Sequence, residues 1–78
     1  MNSKRHSDEV VDFLFEVGYQ VNRARMKKRM TQEQLAKAVG IARTSITLME
    51  SGQKDTPLSQ LYQVAKVLQV DIKTLFER

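Results

Sequence analysis

The sequence predicts an all-α domain, five helices around one core with an extended first helix. Three observations carry this. Apolar residues recur at helical spacing in successive stretches, period-two alternation is absent throughout, and the three glycines and one proline include natural helix punctuation. With 78 residues, there is room for one small domain with a modest stability margin.

Ser7 is placed to cap the first helix, with Asp8 and Glu9 in the turn where the helix dipole favours anions. Val10, Leu14, Val17, Val21 and Ala24 then form one continuous stripe, and the helix is expected to reach about Lys28, roughly 30 Å. Val11, Phe13, Phe15 and Tyr19 lie off that stripe, more apolar bulk than one buried face needs. Gly18 costs about 1 kcal/mol against alanine in a helix interior, which suits a close helix crossing. Thr31 and Gln34 form a capping box for the second helix, with Met30 and Leu35 as its staple and Leu35, Ala36 and Val39 facing inward. Gly40 ends it, and a third helix is expected over about 42–51, with Ala42, Ser45, Ile46 and Met49 on its inner side. Thr56 is expected to cap the fourth helix with Pro57 in its first position, and Leu58, Leu61, Tyr62, Ala65 and Leu68 as its stripe. Asp71 caps a short fifth helix with Ile72, Leu75 and Phe76 on its apolar side. Residues 1–6 form a basic tail expected to be flexible, and 7–78 a single domain.

Composition narrows the chemistry. There is no cysteine, and the single His6 lies in the polar tail, so no metal site or cofactor is expected. No apolar run approaches the roughly 20 residues of a membrane span, and acids follow the N-terminal bases where a signal peptide needs an apolar core. The expectation is a cytoplasmic protein with no membrane partner. Neither a nucleophile nor a phosphate-cradling glycine-rich loop is evident, so an enzyme is not expected. The net charge is +4, but residues 20–54 alone carry +6, with eight bases against two acids. Such a concentration fits a polyanion partner or a solvated cationic face, and charge alone does not choose between them.

Two short helices joined by a tight glycine turn, over about 31–51, describe a helix-turn-helix. On a helical wheel Arg43, Thr44, Thr47, Leu48 and Ser51 fall opposite the inner side of the second of these helices. Thr31, Gln32, Leu35 and Ala36, then Gly40 and Ile41, then Ile46, Glu50 and Gly52, then Pro57 and Tyr62, then Leu68 and Val70 follow a shared pattern. In these motifs the chain resembles the Cro/repressor-type (Xre-type, lambda-repressor-like) helix-turn-helix family over about residues 17–76. Two positions depart from the family pattern: Tyr62 stands where an aliphatic residue is commoner, and Arg29 where glycine is usual.

The resemblance implies a lambda-repressor-like fold and a sequence-specific, double-stranded DNA-binding transcriptional regulator. It places the third helix in the major groove and the start of the second against a phosphate. Arg43, Thr44, Thr47 and Leu48 are the candidate base contacts, Arg43 because a guanidinium pairs two donors with guanine and Leu48 because an apolar side chain suits a thymine methyl. Gln32, Ser45, Gln53, Lys54 and Lys28 are the candidate phosphate contacts, with backbone N–H groups of 52–54 expected to help. The resemblance also implies a partly buried Arg25–Glu50 ion pair of structural role. A homodimer on a two-fold operator is expected, with two candidate surfaces: Val11, Phe13, Phe15 and Tyr19 on the first helix, or Ile72, Leu75 and Phe76 on the last. RNA polymerase or a toxin are further candidate partners. The rival reading is an antitoxin-like or protein-interaction subunit whose first helix binds another protein.

Overall fold

The computed structural model describes residues 7–77. The expected basic tail, with Lys4, Arg5 and His6, lies outside the described residues. Four α-helices follow one another, α1 (Asp8–Lys27), α2 (Gln32–Val39), α3 (Arg43–Glu50) and α4 (Leu58–Leu68), and among the described residues there is no strand. The fifth expected helix is a 3-10 segment, Ile72–Phe76. Five residues are too few to repay nucleation of an α-helix, and Asp71 starts the tighter form by accepting from the N–H of Lys73 at 2.9 Å and, through its carbonyl, from Thr74 at 2.8 Å.

Local chemistry sets most boundaries. The Ser7 hydroxyl accepts from Val10 N, and the Thr31–Gln34 capping box is complete in both directions at 3.0 and 2.8 Å. Gly40 ends α2 at φ 87°, a left-handed conformation that costs glycine nothing, and the chain then turns into α3. Arg29 follows α1 in the same region at φ 57°. Arginine here takes a left-handed position that suits the family pattern's glycine, and Met30 N closes on Arg25 O at 3.2 Å. The start of α4 departs from expectation. Pro57 is the N-cap, its extended ψ of 141° delaying the first helical turn to Leu58, and the enclosed Thr56 hydroxyl has no hydrogen-bond partner among the described residues.

Every element contributes to the core: Val17 and Val21; Leu35 and Ala36; Ile46 and Met49; Leu61, Val64, Ala65 and Leu68; and Leu75. Two expected stripes are thereby corrected. On α4 the buried arc centres on Leu61, Val64, Ala65 and Leu68, leaving Tyr62 at its edge and Leu58 in a first turn beyond the core's reach. On α1, Val10 is exposed because the N-terminal turns extend past the packed body.

Candidate nucleic-acid interface

The position of α3 follows from two features of α1. Gly18 lies against the C-terminal carbonyls of α3; a Cβ there would sit 2.3 Å from Met49 O and 2.7 Å from Glu50 O. Only a residue without a side chain allows this approach, so the glycine fixes the α1–α3 crossing. One helical turn on, Asn22 and Arg25 meet Glu50. Arg25 Nε donates to Glu50 Oε2 at 2.7 Å, Arg25 Nη2 to Oε1 at 3.1 Å, and Asn22 Nδ2 to Oε1 at 2.9 Å. Arg25 Nη1 also donates to Met30 O at 2.6 Å, tying in the turn before α2.

This is a bidentate pair, and both side chains are almost wholly enclosed, 9% and 5% exposed. Burial alone raises the Glu50 carboxyl pKa. Hydrogen bonds from Arg25, Asn22 and Gln32, with the Arg25 charge, outweigh it and hold the group below its ordinary value.

Gln32 links α2 to the same network. Its Nε2 donates to Glu50 Oε1 at 3.1 Å, and its Oε1 lies 2.8 Å from the Thr47 hydroxyl, which also lies 3.2 Å from Arg43 O. Sequence reasoning missed this role. The signal available was Gln32 in the first turn of α2, Thr47 on the outer face of α3 and Glu50 one turn later, groups that converge only once the helices cross. Gln53 and Gly52 are likewise used internally. Their N–H groups donate to Leu48 O and Met49 O at 2.9 and 3.1 Å, closing the end of α3, so the backbone donors expected for a phosphate at 52 and 53 are occupied.

The outer face of α3 is as the wheel placed it. Arg43, Thr44, Thr47 and Leu48 are all exposed, Ser45 is half-buried at the helix edge, and Ser51 alone departs from the wheel, half-buried with its hydroxyl donating to Leu48 O at 3.1 Å. Among the described residues the Arg43 guanidinium makes no hydrogen bond or ion pair. Lys54 is half-buried with its ammonium 3.2 Å from Gln60 Oε1, while Lys28 donates to Gln69 Oε1 at the end of α4 rather than to any group on α3.

The two candidate dimer surfaces also change shape. Leu75 is fully buried and so forms no part of a dimer surface, because the 3-10 segment turns it into the core beside α1. Phe13 and Phe76, assigned to rival surfaces, stack with centroids 6.0 Å apart and form one face. Exposed Leu58 and Tyr62 extend it across a shallow groove lined also by Ile72. Val11, Phe15 and Tyr19 remain exposed elsewhere on α1. Among the described residues no cluster of metal-ligating side chains occurs, and no helix is long and apolar enough to cross a membrane.

Comparison with known proteins places this geometry. A family model described as helix-turn-helix matches residues 21–75. An HTH-type transcriptional regulator of Archaeoglobus fulgidus is 40% identical over 52 residues, covering 67% of this chain and 73% of that protein. The restriction-modification controller protein C.AhdI from Aeromonas hydrophila superposes with a TM-score of 0.78 at 28% identity, over 81% of this chain and 96% of the other. SinR, a master regulator for biofilm formation whose structure is in complex with DNA, gives 0.73 at 26% identity, over 78% and 98%.

Proposed function

From the membership of this chain in the Cro/repressor-type helix-turn-helix family, which makes it a DNA-binding transcriptional regulator, we propose a specific division of labour on the duplex. α3 enters the major groove. Arg43 is the main base reader, since a free guanidinium can donate twice to guanine, worth roughly 1–3 kcal/mol of discrimination. Thr44 and Leu48 add polar and apolar contacts. Thr47 has its hydroxyl turned toward Gln32 and offers the groove its methyl group and a remaining lone pair.

Phosphates are met at the edges of this face. Gln32 serves through its backbone N–H at the start of α2, its amide being engaged with Glu50 and Thr47. Ser45, the Gln53 side chain and Lys54 flank α3, and Lys28 acts at the far rim. The observation supporting all of this is the exposed Arg43–Thr44–Thr47–Leu48 face on a helix fixed to the body by Gly18 and Glu50.

The operator is two-fold symmetric and bound by a homodimer that pairs through the Phe13–Phe76 face, with recognition helices about 34 Å apart. Beside a promoter, such a dimer acts by occluding or recruiting RNA polymerase. The protein is a cytoplasmic regulator without catalytic activity in this reading. Selection of bound sites from random DNA, repeated with Arg43→Ala and Lys54→Ala, tests it. Arg43→Ala relaxes one base position per half-site, whereas Lys54→Ala weakens all sequences alike and lowers the salt slope. Identical behaviour of the two variants contradicts the assignment.

A further inference from the structure

The exposed Val11, Phe15 and Tyr19 have no use in this scheme, yet they are 43%, 61% and 52% exposed along one face of α1. They belong to a row at i+4 spacing that continues through Arg23 and Lys27. The adjoining row is Asp8, Asp12 and Glu16, and a shallow groove lies between Asp12, Phe15, Glu16 and Tyr19. Each row sets like charges one turn apart, an arrangement that destabilises an isolated helix. Arg23 rests over the Tyr19 ring at 5.8 Å, which joins the basic end of the face to its aromatic middle.

Acids occupy the N-terminal half of this face and bases the C-terminal half. A parallel partner helix would set acid on acid. An antiparallel copy crossing at the middle of α1, between Val17 and Gly18, instead sets Asp12 level with the copy's Arg23 and Asp8 level with its Lys27. Phe15 then packs beside the copy's Tyr19. We propose that this face of α1 is a self-complementary contact for a second copy of the chain in antiparallel orientation, separate from the Phe13–Phe76 face.

Two-fold pairing repeats each contact twice, as an isologous interface requires. The 20 residues of α1 span about 30 Å, and a helix face about 10 Å wide gives roughly 300 Å² per copy, well below the roughly 800 Å² of a standard interface. The contact is therefore weak between free chains and effective between copies already held close on one DNA, where local concentrations reach the order of millimolar.

Sedimentation equilibrium of the full chain up to millimolar concentration tests this, with helix content checked by circular dichroism. Asp12→Lys and Arg23→Glu are each measured alone and as an equimolar mixture, in the native chain and with Phe76→Glu added. Either swap alone should weaken association through this face at least tenfold, and the mixture should return to within about threefold of the unsubstituted chain, because the reversed charges then complement one another. With Phe76→Glu present, unchanged association in the single swaps, or failure of the mixture to recover, overturns the proposal. So does the absence of any association once Phe76→Glu is present, a result that leaves standing the assignment of the operator dimer to the Phe13–Phe76 face. Association that ignores Phe76→Glu but disappears with the swaps overturns the operator-dimer surface instead.

Discussion

Replacing Glu50 by leucine should remove a large share of the protein's stability. The carboxylate accepts from Arg25 twice and from Asn22 and Gln32 once each, and its loss strands the guanidinium of a side chain that is only 9% exposed. Removing one partner of a buried ion pair costs about 3–5 kcal/mol. Scaled by length, a chain of 78 residues has about 4–12 kcal/mol in total. The variant therefore sits near the edge of folding, with a melting temperature at least about 12 °C lower. Urea unfolding followed by circular dichroism reads the loss, and Arg25→Met closes a double-mutant cycle. The double variant should be less destabilised than the sum of the singles, by about 0.5–3 kcal/mol. Acid should act on the same group. Because the folded pKa of Glu50 lies below its ordinary value, its contribution is present above that ordinary value and fades as pH falls through the lowered one. A Glu50→Leu loss under about 1 kcal/mol, or additive singles, refutes the reasoning.

Gly18→Ala should lower both stability and DNA affinity. Alanine gains about 1 kcal/mol of helix propensity, but a Cβ 2.3 Å from Met49 O forces α3 away, and overpacking of this kind costs about 1–3 kcal/mol. A thermal melt showing net stabilisation contradicts the crossing described. Arg29→Gly should raise stability by up to about 1 kcal/mol by relieving the left-handed conformation at φ 57°, read by the same melts. Gly40→Ala should lower it by about 1–2 kcal/mol although a Cβ there meets nothing within 4 Å, since the cost lies in φ alone.

Local signals made much of this legible in the sequence. The Ser7, Thr31 and Asp71 caps, the Gly40 stop and the inner residues of α2 and α3 all depend on neighbours within four positions, and they stand as expected except Ala42, which is the exposed N-cap of α3 rather than part of its inner side. The exposed face of α3 followed from the same periodicity. The Arg25–Glu50 pair came through the family resemblance, because a contact spanning 25 positions leaves no local trace. What could not be read was set by tertiary fit. Gln32 was expected to face a phosphate, yet its amide turns to Thr47 and Glu50 once α2 and α3 cross. Leu75 and Leu58 have the same apolar character, and only the packing of the last segment buries one and exposes the other. Phe13 and Phe76, 63 positions apart in the chain, looked like alternatives until their rings met.

The most direct measurement is a titration of the protein with its selected duplex, following backbone and side-chain resonances. Binding through the outer face of α3 predicts the largest perturbations at Arg43, Thr44, Thr47 and Leu48, with smaller ones at the start of α2 and around Gln53 and Lys54. Perturbations concentrated on α4 or on the Phe13–Phe76 face, with the α3 side chains unmoved, would contradict it.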